Sequence, residues 1–265
     1  MRALYLLLGD PVAHSRSPAI HARAFSLLGV DAVYAPCRVA RAAEGVAAAR
    51  ALGVAGFNVT VPHKEAVAEL VDRIHPSAAR IGAVNCVVRD GDALVGHNTD
   101  TAGLLRALRM HGVDPSGARA VVVGAGGSAR AAAWALVPHA SQITIVNRTE
   151  SKARALAALV QAAGGKAITA PWGTLPEADL VVHCTTIGLS SNDVPFDPAA
   201  LRRGCALVDL VYAPGGKTEL LKRFSGKCID GIDVLVHQAI ASLEIWLGRP
   251  QLDHLAGALR EAALA

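Results

Sequence analysis

The 265-residue chain lacks the features that would indicate a disulfide framework, a metal site, a membrane span or a nucleic-acid surface. Its five cysteines are widely spaced and form no C-x-x-C pair, which argues against both disulfides and a zinc site. No apolar run approaches the length of a transmembrane helix, and the net charge of +4 comes without basic blocks. The short apolar start, Ala3 to Leu8, runs directly into Gly-Asp-Pro without a cleavage site, which favours a buried strand over a signal peptide. We therefore expect a metal-free cytoplasmic protein with no nucleic-acid or membrane partner.

The chain instead alternates short apolar strands with alanine-rich helices. The first half opens with a strand near 2–8, and its last clear helix is predicted over 64–74. A turn-rich stretch over 112–117 leads into a second half that begins with a strand at 120–123. A final amphipathic stretch covers 234–247. The alternation predicts an α/β protein, and the length allows one large domain or two of ordinary size.

The clearest local signal is a strand, a tight turn and a helix between Ala120 and Trp134. Gly124, Gly126 and Ala129 fit the G-x-G-x-x-G/A pattern, in which the glycines let a pyrophosphate approach the backbone. The following helix would direct free N–H groups at that anion. The pattern predicts a dinucleotide site, and the alternative is an ordinary tight turn between a strand and a helix.

The end of the next strand indicates which dinucleotide is bound. It reads Asn147-Arg148-Thr149, without the acid that would bind the ribose 2′-hydroxyl of NAD. Arg148, with Lys152 one turn later, offers positive charge suited to a 2′-phosphate, so NADP is favoured. The alternative is a solvated helix start with Thr149 as N-cap, and the two interpretations are compatible.

Candidate catalytic residues follow strands of the first half. Asn58 and Thr60 place polar side chains on one face of an apolar strand, and Lys64 comes just after it. Asp100 ends a second polar cluster, Asn98-Thr99-Asp100. If Lys64 and Asp100 lay close together, they could form an acid–base pair beside a hydroxylated substrate. The alternative is a surface lysine and a helix-capping aspartate.

Motifs along the chain resemble those of the shikimate dehydrogenase family. In chain order they are Ser15-Arg16-Ser17-Pro18 (S-L-S-P in the family), Gly56 to Lys64 (G-x-N-V-T-x-P-x-K), Gly82 to Asn85 (G-A-x-N), Asn98 to Asp100 (N-T-D), Gly124 to Arg130 (G-A-G-G-A/S-x-R), Asn147 to Thr149 (N-R-T), Asp209 to Tyr212 (D-x-x-Y) and Gly231 to Gln238 (G-x-x-M-L-x-x-Q). The family's order is kept throughout, which argues against a chance match. The resemblance implies a substrate-binding domain over 1–101, completed by 235–265, and a Rossmann-like dinucleotide domain over 102–234, with the active site in the cleft.

The resemblance also implies a role for each matching residue. Lys64 would give and take the proton with Asp100 as its partner. The substrate would be bound by Ser15, Ser17, Asn58, Thr60, Lys64, Asn85, Asp100, Tyr212 and Gln238. The cofactor would be bound by Gly124, Ala125, Gly126, Gly127, Ser128, Asn147, Arg148, Thr149, Lys152, Leu210 and Gly231. Three of these have simpler alternatives: Ser17 could cap a helix, Gln238 could be a satisfied buried amide, and Tyr212 could be core packing.

The implied activity is the NADP-dependent, reversible reduction of 3-dehydroshikimate to shikimate, on the chorismate route of aromatic amino-acid biosynthesis, by a monomer or homodimer. Arg16, His183 and Val234 stand where leucine, asparagine and methionine are usual in the family. Arg16 and Val234 lie beside the implied substrate and nicotinamide sites, which keeps open a quinate or quinate/shikimate dehydrogenase using NAD(P). A non-catalytic NADP-sensing relative is the remaining alternative, although a sensor has no need of Lys64 and Asp100.

Overall fold

A computed structural model describes residues 2–213 and 216–265, and the chain divides into two compact units. The first unit is Met1–Gly103 with Leu235–Ala265, and the second is Leu104–Val234. Within the described residues, no helix is long and apolar enough to cross a membrane. The same part of the chain holds no group of three or more histidine, cysteine and acidic side chains able to bind a metal ion.

The first unit is built on a mixed sheet. Its strands are β1 (Ala3–Gly9), β2 (Ala32–Arg38), β3 (Gly56–Val59), β4 (Arg73–Ile74), β5 (Cys86–Asp90) and β6 (Ala93–His97), in the spatial order β2-β1-β3-β5-β6-β4. β1 pairs in parallel with β2 and β3, whereas β5 is antiparallel to β3 and β6. The carboxyl ends of β1 and β3 are therefore neighbours, because Leu8 lies opposite Val59. The loops that follow these strands carry the polar motifs of the first half.

The helices of the first unit are α1 (Ser17–Leu28), α2 (Ala42–Ala51), α3 (Lys64–Ala68), α4 (Pro76–Ala79) and α10 (Ala256–Leu264), and two longer helices, α5 (Asp100–Met110) and α9 (Gly231–Leu247), belong to it in part. Apolar residues from the sheet, among them Leu8, Phe57 and Leu94, form one buried cluster with Val46 and Ala49 of α2. Each of these five side chains is at most 4% exposed. This packing holds the strand ends, and the loops after them, in fixed positions.

The helix predicted over 64–74 is wrong in its second half. α3 ends at Ala68, and Arg73–Ile74 instead pairs in parallel with β6. Asp72 exchanges two bonds with Leu94, since its N–H donates to the Leu94 carbonyl at 3.0 Å and its carboxylate accepts the Leu94 N–H at 2.7 Å. These long-range bonds outweigh the helical propensity of the segment.

The second unit is a parallel, doubly wound sheet. Its strands are β7 (Arg119–Val123), β8 (Gln142–Val146), β9 (Ala167–Ala170), β10 (Leu180–His183), β11 (Ala206–Asp209) and β12 (Lys227–Ile229), and its helices include α6 (Gly127–Leu136), α7 (Glu150–Ala162) and α8 (Glu219–Lys222). The spatial order is β12-β11-β10-β7-β8-β9, with every pairing parallel. The order reverses at β7, and open sheets of this kind bind ligands outside the carboxyl ends of the strands at such a point.

Candidate active site

Lys64 and Asp100 meet in the first unit. Lys64 is the first residue of α3, and Asp100 is the first residue of α5. The distance from Lys64 Nζ to Asp100 Oδ2 is 2.5 Å, and the side chains are only 12% and 17% exposed. The start of a helix favours the negative charge of Asp100. The geometry therefore excludes the alternative of an unrelated surface lysine and capping aspartate.

Asn85 holds the carboxylate of Asp100 from its other side. Its Nδ2 donates to Asp100 Oδ1 at 2.7 Å, and its Oδ1 accepts the backbone N–H of Thr99 at 2.7 Å. Asn85 is 2% exposed. Asp100 is thus fixed between an ammonium group and an amide, which orients its oxygens and leaves Lys64 at the more open side.

Gln238 joins the same network from α9. Its Oε1 accepts from Asn85 Nδ2 at 3.2 Å and from the Thr99 hydroxyl at 3.3 Å, and its Nε2 donates to the Leu235 carbonyl at 3.1 Å. It is 8% exposed. Gln238 is therefore a satisfied amide at the edge of the cluster, a position that is also compatible with substrate binding.

Asn58 lies beneath this cluster. Its Oδ1 accepts from the Tyr34 hydroxyl at 3.0 Å, and its Nδ2 donates to the Asn85 carbonyl and to Ser242 Oγ, both at 3.0 Å. Both amide hydrogens of Asn58 therefore go to protein acceptors. The structure gives Asn58 a supporting position under Asn85.

Tyr34 and Ser242 are two members of the network that the sequence analysis missed. Ser242 lies four residues after Gln238 on α9, so helical spacing could have indicated it. Its hydroxyl also lies 3.2 Å from that of Thr99. Tyr34 lies on β2, and nothing in the sequence specifies its contact with Asn58.

The other predicted substrate residues lie on the loops after β1 and β3. Ser15 is half-buried, and its Oγ accepts the N–H of Ser17 at 3.2 Å. Ser17 is 4% exposed and is itself the first residue of α1, so it is not the cap of that helix. The N–H of Thr60 donates to the Leu8 carbonyl of β1 at 2.8 Å, and the N–H of Asp10 donates to the Val61 carbonyl at 3.0 Å, which ties the two loops together. Tyr212, in contrast, belongs to the second unit, where it is half-buried three residues after β11.

The glycine turn of the second unit has the shape that a pyrophosphate requires. Gly124 has a φ of +123°, a conformation that other residues rarely adopt, and a Cβ there would lie 3.3 Å from the Cys184 carbonyl. Gly126 is exposed, and a Cβ built on it would meet no protein atom within 4 Å. Ala125 lies in the turn and α6 begins at Gly127, so Gly127 and Ser128 belong to the first turn of the helix, the end whose N–H groups attract an anion.

Arg148 stands at the carboxyl end of β8, next to the glycine turn. Arg148 and Lys152 are both exposed, and Asn147 Nδ2 donates to the Thr149 carbonyl at 2.9 Å. Thr149 occupies the N-cap position of α7, but its side chain makes no capping bond. The site as a whole fits a phosphate better than a neutral hydroxyl, because two cationic side chains follow one strand end.

A cavity of about 620 Å³ lies beside Arg148. Trp172 and Arg223 also line it, together with Ile187 and the 192–195 segment. The sequence analysis missed Trp172 and Arg223. Trp172 follows β9, a strand that was not predicted, so its proximity to Arg148 could not have been inferred.

The remaining predicted cofactor residues lie at the carboxyl end of β11. The N–H of Leu210 donates to the His183 carbonyl at 3.0 Å. A Cβ on Gly231 would come within 2.6 Å of the Leu210 carbonyl oxygen. This close contact explains why glycine is required where α9 begins.

Family models match both units. A model described as the shikimate dehydrogenase substrate binding domain matches residues 7–87, and one described as shikimate / quinate 5-dehydrogenase matches 107–191. A relative from Natronomonas pharaonis, named shikimate dehydrogenase (NADP(+)), is 43% identical over 254 residues, which cover 93% of this chain and 94% of the relative. One from Haloarcula marismortui with the same name is 41% identical over 97% of this chain and 98% of the relative.

Solved structures agree with the sequence relatives. A shikimate dehydrogenase in complex with NADP+ has a TM-score of 0.91 at 32% identity, covering 99% of this chain and 95% of the other. The Thermus thermophilus enzyme in complex with NADP(H) and shikimate has a TM-score of 0.86 at 34% identity, covering 98% of both chains. A quinate dehydrogenase from Corynebacterium glutamicum in complex with NAD has a TM-score of 0.87 at 31% identity, covering 99% of both chains. The predicted family and α/β fold class are confirmed.

Proposed function

This chain belongs to the shikimate dehydrogenase family, and we propose that it is an NADP-dependent oxidoreductase that reversibly reduces the ring ketone of 3-dehydroshikimate to the alcohol of shikimate. The observation that carries the proposal is the contact of Lys64 with Asp100 inside a network of amides and hydroxyls. An ammonium group held in this way can exchange a proton with a carbonyl oxygen. The names of the relatives supply the substrate and the cofactor.

Lys64 has the central role in the proposed mechanism. Its ammonium group donates a proton to the ketone oxygen as negative charge develops there, and its neutral amine takes a proton from the hydroxyl in the reverse direction. Asp100 holds Nζ in place, and Asn85 holds Asp100. When bound, NADPH supplies the hydride that reduces the carbonyl carbon.

The substrate's hydroxyls and carboxylate are assigned to groups around this pair. We place Ser15, Ser17, Thr60 and Gln238 in contact with them, and we assign Asn58 the task of holding Asn85. We also propose that Tyr212 binds the substrate. The buried hydrogen bonds of Asn85 and Gln238 support it, because fixed polar groups bind a hydroxylated ring without being ordered first.

The dinucleotide is assigned to the glycine turn, to the loop 147–152 and to Leu210 and Gly231. The open space at Gly126 leaves room for a pyrophosphate, and Arg148 and Lys152 offer charge to a 2′-phosphate. These residues fit NADP better than NAD. The NADP-dependent relatives agree with this choice.

A quinate dehydrogenase is the second candidate. The fold also occurs in the Corynebacterium glutamicum quinate dehydrogenase, and Arg16 and Val234 depart from the usual motifs. The third candidate, a non-catalytic NADP sensor, does not account for the buried contact between Lys64 and Asp100. We place the enzyme in the cytoplasm, since its five cysteines are unpaired, and we propose that it works as a monomer or homodimer.

The enzyme and sensor proposals are separated by one experiment. Purified protein is given NADP with shikimate or with quinate, NADPH formation is followed by absorbance, the product is identified by chromatography, and NADP binding is measured by calorimetry. We expect NADPH and 3-dehydroshikimate to form in equal amounts. Binding of NADP without turnover of shikimate or quinate would contradict the enzyme proposal and support the sensor.

A further inference from the structure

A buried histidine–aspartate pair joins two neighbouring strands of the second unit. His183 is the last residue of β10 and Asp209 is the last residue of β11, and the two lie opposite each other in the sheet. The distance from His183 Nδ1 to Asp209 Oδ1 is 2.8 Å, and the side chains are 0% and 1% exposed. Each buried donor and acceptor of such a pair needs a hydrogen-bond partner.

The pair is the centre of a longer chain of hydrogen bonds. On one side, Asp209 accepts from the Thr218 hydroxyl at 2.6 Å and from the N–H of Val211 at 3.0 Å. On the other side, His183 Nε2 lies 2.6 Å from Thr185 Oγ1, and that hydroxyl oxygen accepts the N–H of Ile187 at 3.2 Å. If Nδ1 donates to Asp209, Nε2 accepts the Thr185 hydroxyl hydrogen. Every donor in the chain then has an acceptor.

The chain of bonds ends beside the predicted dinucleotide site. β10 and β11 lie on the side of β7 away from β8, so their carboxyl ends continue the edge that carries the glycine turn. Cys184 borders that turn, because its N–H donates to the Val123 carbonyl at 2.8 Å and its carbonyl would lie 3.3 Å from a Cβ on Gly124. Ile187 lines the cavity that Arg148 also lines. The loop 184–188 therefore forms one wall of the site in which the adenosine half of NADP is proposed to bind.

We propose that His183 is a positioning residue for the cofactor: anchored by Asp209, it holds Thr185 and thereby fixes the loop 184–188 against the adenosine half of NADP. This inference rests on the proposed NADP dependence. Its physical basis is preorganisation, since a loop that is already ordered does not lose conformational freedom when the cofactor binds. The glycine turn and Arg148 supply the contacts, and His183 keeps the opposite wall in place.

Two substitutions interrupt this series of hydrogen bonds while Asp209 keeps its bonds from Thr218 and Val211. Thr185→Val keeps the shape of the side chain and removes the hydroxyl. His183→Asn keeps an amide near the position of Nδ1, and it is too short to reach Thr185. Thr185→Ser restores the hydroxyl and is the conservative variant. Ser141→Ala is the matched control, because its hydroxyl donates to the Ala118 carbonyl at 3.2 Å next to the amino ends of β7 and β8, at the opposite edge of the same sheet.

The experiment measures dissociation constants for NADPH and for adenosine 2′,5′-bisphosphate by calorimetry, together with melting temperatures. We expect Thr185→Val and His183→Asn each to raise the dissociation constants of both ligands about 3- to 10-fold, which is the effect of losing one neutral hydrogen bond. The double variant should bind each ligand about as tightly as the single variant with the lower affinity does. Thr185→Ser and Ser141→Ala should bind both ligands as the wild type does.

Unchanged dissociation constants in folded Thr185→Val would overturn the inference, and so would losses that add in the double variant. A lower melting temperature with wild-type affinity would assign the chain of bonds to folding alone and would also overturn it. A wild type that binds neither ligand would overturn the proposed NADP dependence itself. Because that failure is seen without any substitution, the two cases are distinguishable.

Discussion

At the scale of single residues, the contact between Lys64 and Asp100 makes the sharpest demand on the proposed mechanism. Lys64→Ala should lower kcat about 10²- to 10⁴-fold, the range for a general acid–base group, with a smaller effect on KM for shikimate. Asp100→Asn should also lower kcat. Because the two groups act together, the double variant should be hardly worse than the worse single one.

The measurement is steady-state kinetics on the three variants, with circular dichroism to confirm that each is folded. Lys166→Ala is the control, since Lys166 is an exposed lysine of the second unit. It should keep wild-type turnover. Near-normal kcat in folded Lys64→Ala would remove Lys64 from the mechanism, and additive losses would mean that Lys64 and Asp100 act separately.

Cofactor choice is the second prediction at this scale. Arg148→Ala should raise the dissociation constant of NADP about 10- to 100-fold, because a charged hydrogen bond to the 2′-phosphate is worth roughly 1.5 to 3 kcal/mol. The dissociation constant of NAD should change little, and the preference for NADP should shrink as salt rises. Arg154→Ala, which removes an exposed cation from α7 that is paired with Glu150, should bind both cofactors as the wild type does. Equal losses for NADP and NAD in Arg148→Ala would refute the assignment.

The sequence predicted these residues better than it predicted their surroundings. Lys64, Asp100 and Arg148 follow strand ends, so a pattern of alternating strands and helices was enough to select them. For Ser242 the one signal is its helical spacing from Gln238, and for Tyr34 there is none, because their contacts with Asn58 depend on how β2 and α9 pack. Trp172 was missed because β9 was missed.

At the scale of elements, glycine is required at two positions for different reasons. Gly126 leaves space for a ligand, and Gly231 allows close packing within the protein. A Cβ on Gly126 meets no protein atom within 4 Å, whereas one on Gly231 comes within 2.6 Å of the Leu210 carbonyl oxygen. Gly126→Ala should therefore leave the melting temperature unchanged and weaken NADPH binding by at least about 10-fold, since the methyl group meets the pyrophosphate. Gly231→Ala should lower both the stability, by about 1 to 3 kcal/mol, and the affinity.

Thermal unfolding and NADPH titration of both variants make the comparison. Gly257→Ala is the control, because a Cβ there also meets nothing within 4 Å and the residue lies in α10, away from the glycine turn in the chain. It should bind NADPH normally and gain about 0.5 to 1 kcal/mol from helix propensity. Wild-type NADPH affinity in Gly126→Ala would show that the turn does not hold the pyrophosphate.

Element boundaries show where sequence patterns stop being sufficient. Periodicity and flanking turns predict a strand over 142–146 and a helix over 150–163, and β8 and α7 lie within one residue of these limits. The segment 69–74 departs from its helical pattern because Asp72 binds Leu94 in another strand. α9 begins at Gly231, three residues before the predicted 234, where glycine is required by packing against Leu210.

At the scale of the whole molecule, a buried histidine should make stability depend on pH. His21 is fully buried, stacks on Tyr34 with ring centroids 4.2 Å apart, and burial lowers its pKa to about 3. Below the ordinary histidine pKa of about 6.5, His21 binds a proton in the unfolded chain but stays neutral in the folded chain. The free energy of unfolding should therefore fall by about 1.4 kcal/mol per pH unit between about 6.5 and 3.

Urea unfolding at pH 7.5 and pH 5 tests this dependence, with about 2 kcal/mol expected to be lost over that interval through His21. His21→Phe keeps an aromatic ring against Tyr34 and should remove the part of the loss that comes from His21, whereas the part from His97, whose pKa burial lowers to about 4, should remain. His254→Gln, at an exposed histidine, should retain the whole loss. A pH dependence that is the same in His21→Phe and the wild type would show that His21 is not its source.

The most direct test of the proposed function is the specificity constant, kcat/KM, of the wild-type protein for shikimate and quinate, each with NADP and with NAD. The contact between Lys64 and Asp100, the two cations after β8 and the named relatives together predict that shikimate with NADP is the best of the four combinations. We expect NADP to exceed NAD by about one to two orders of magnitude. A higher kcat/KM for quinate, or for NAD, would contradict the account.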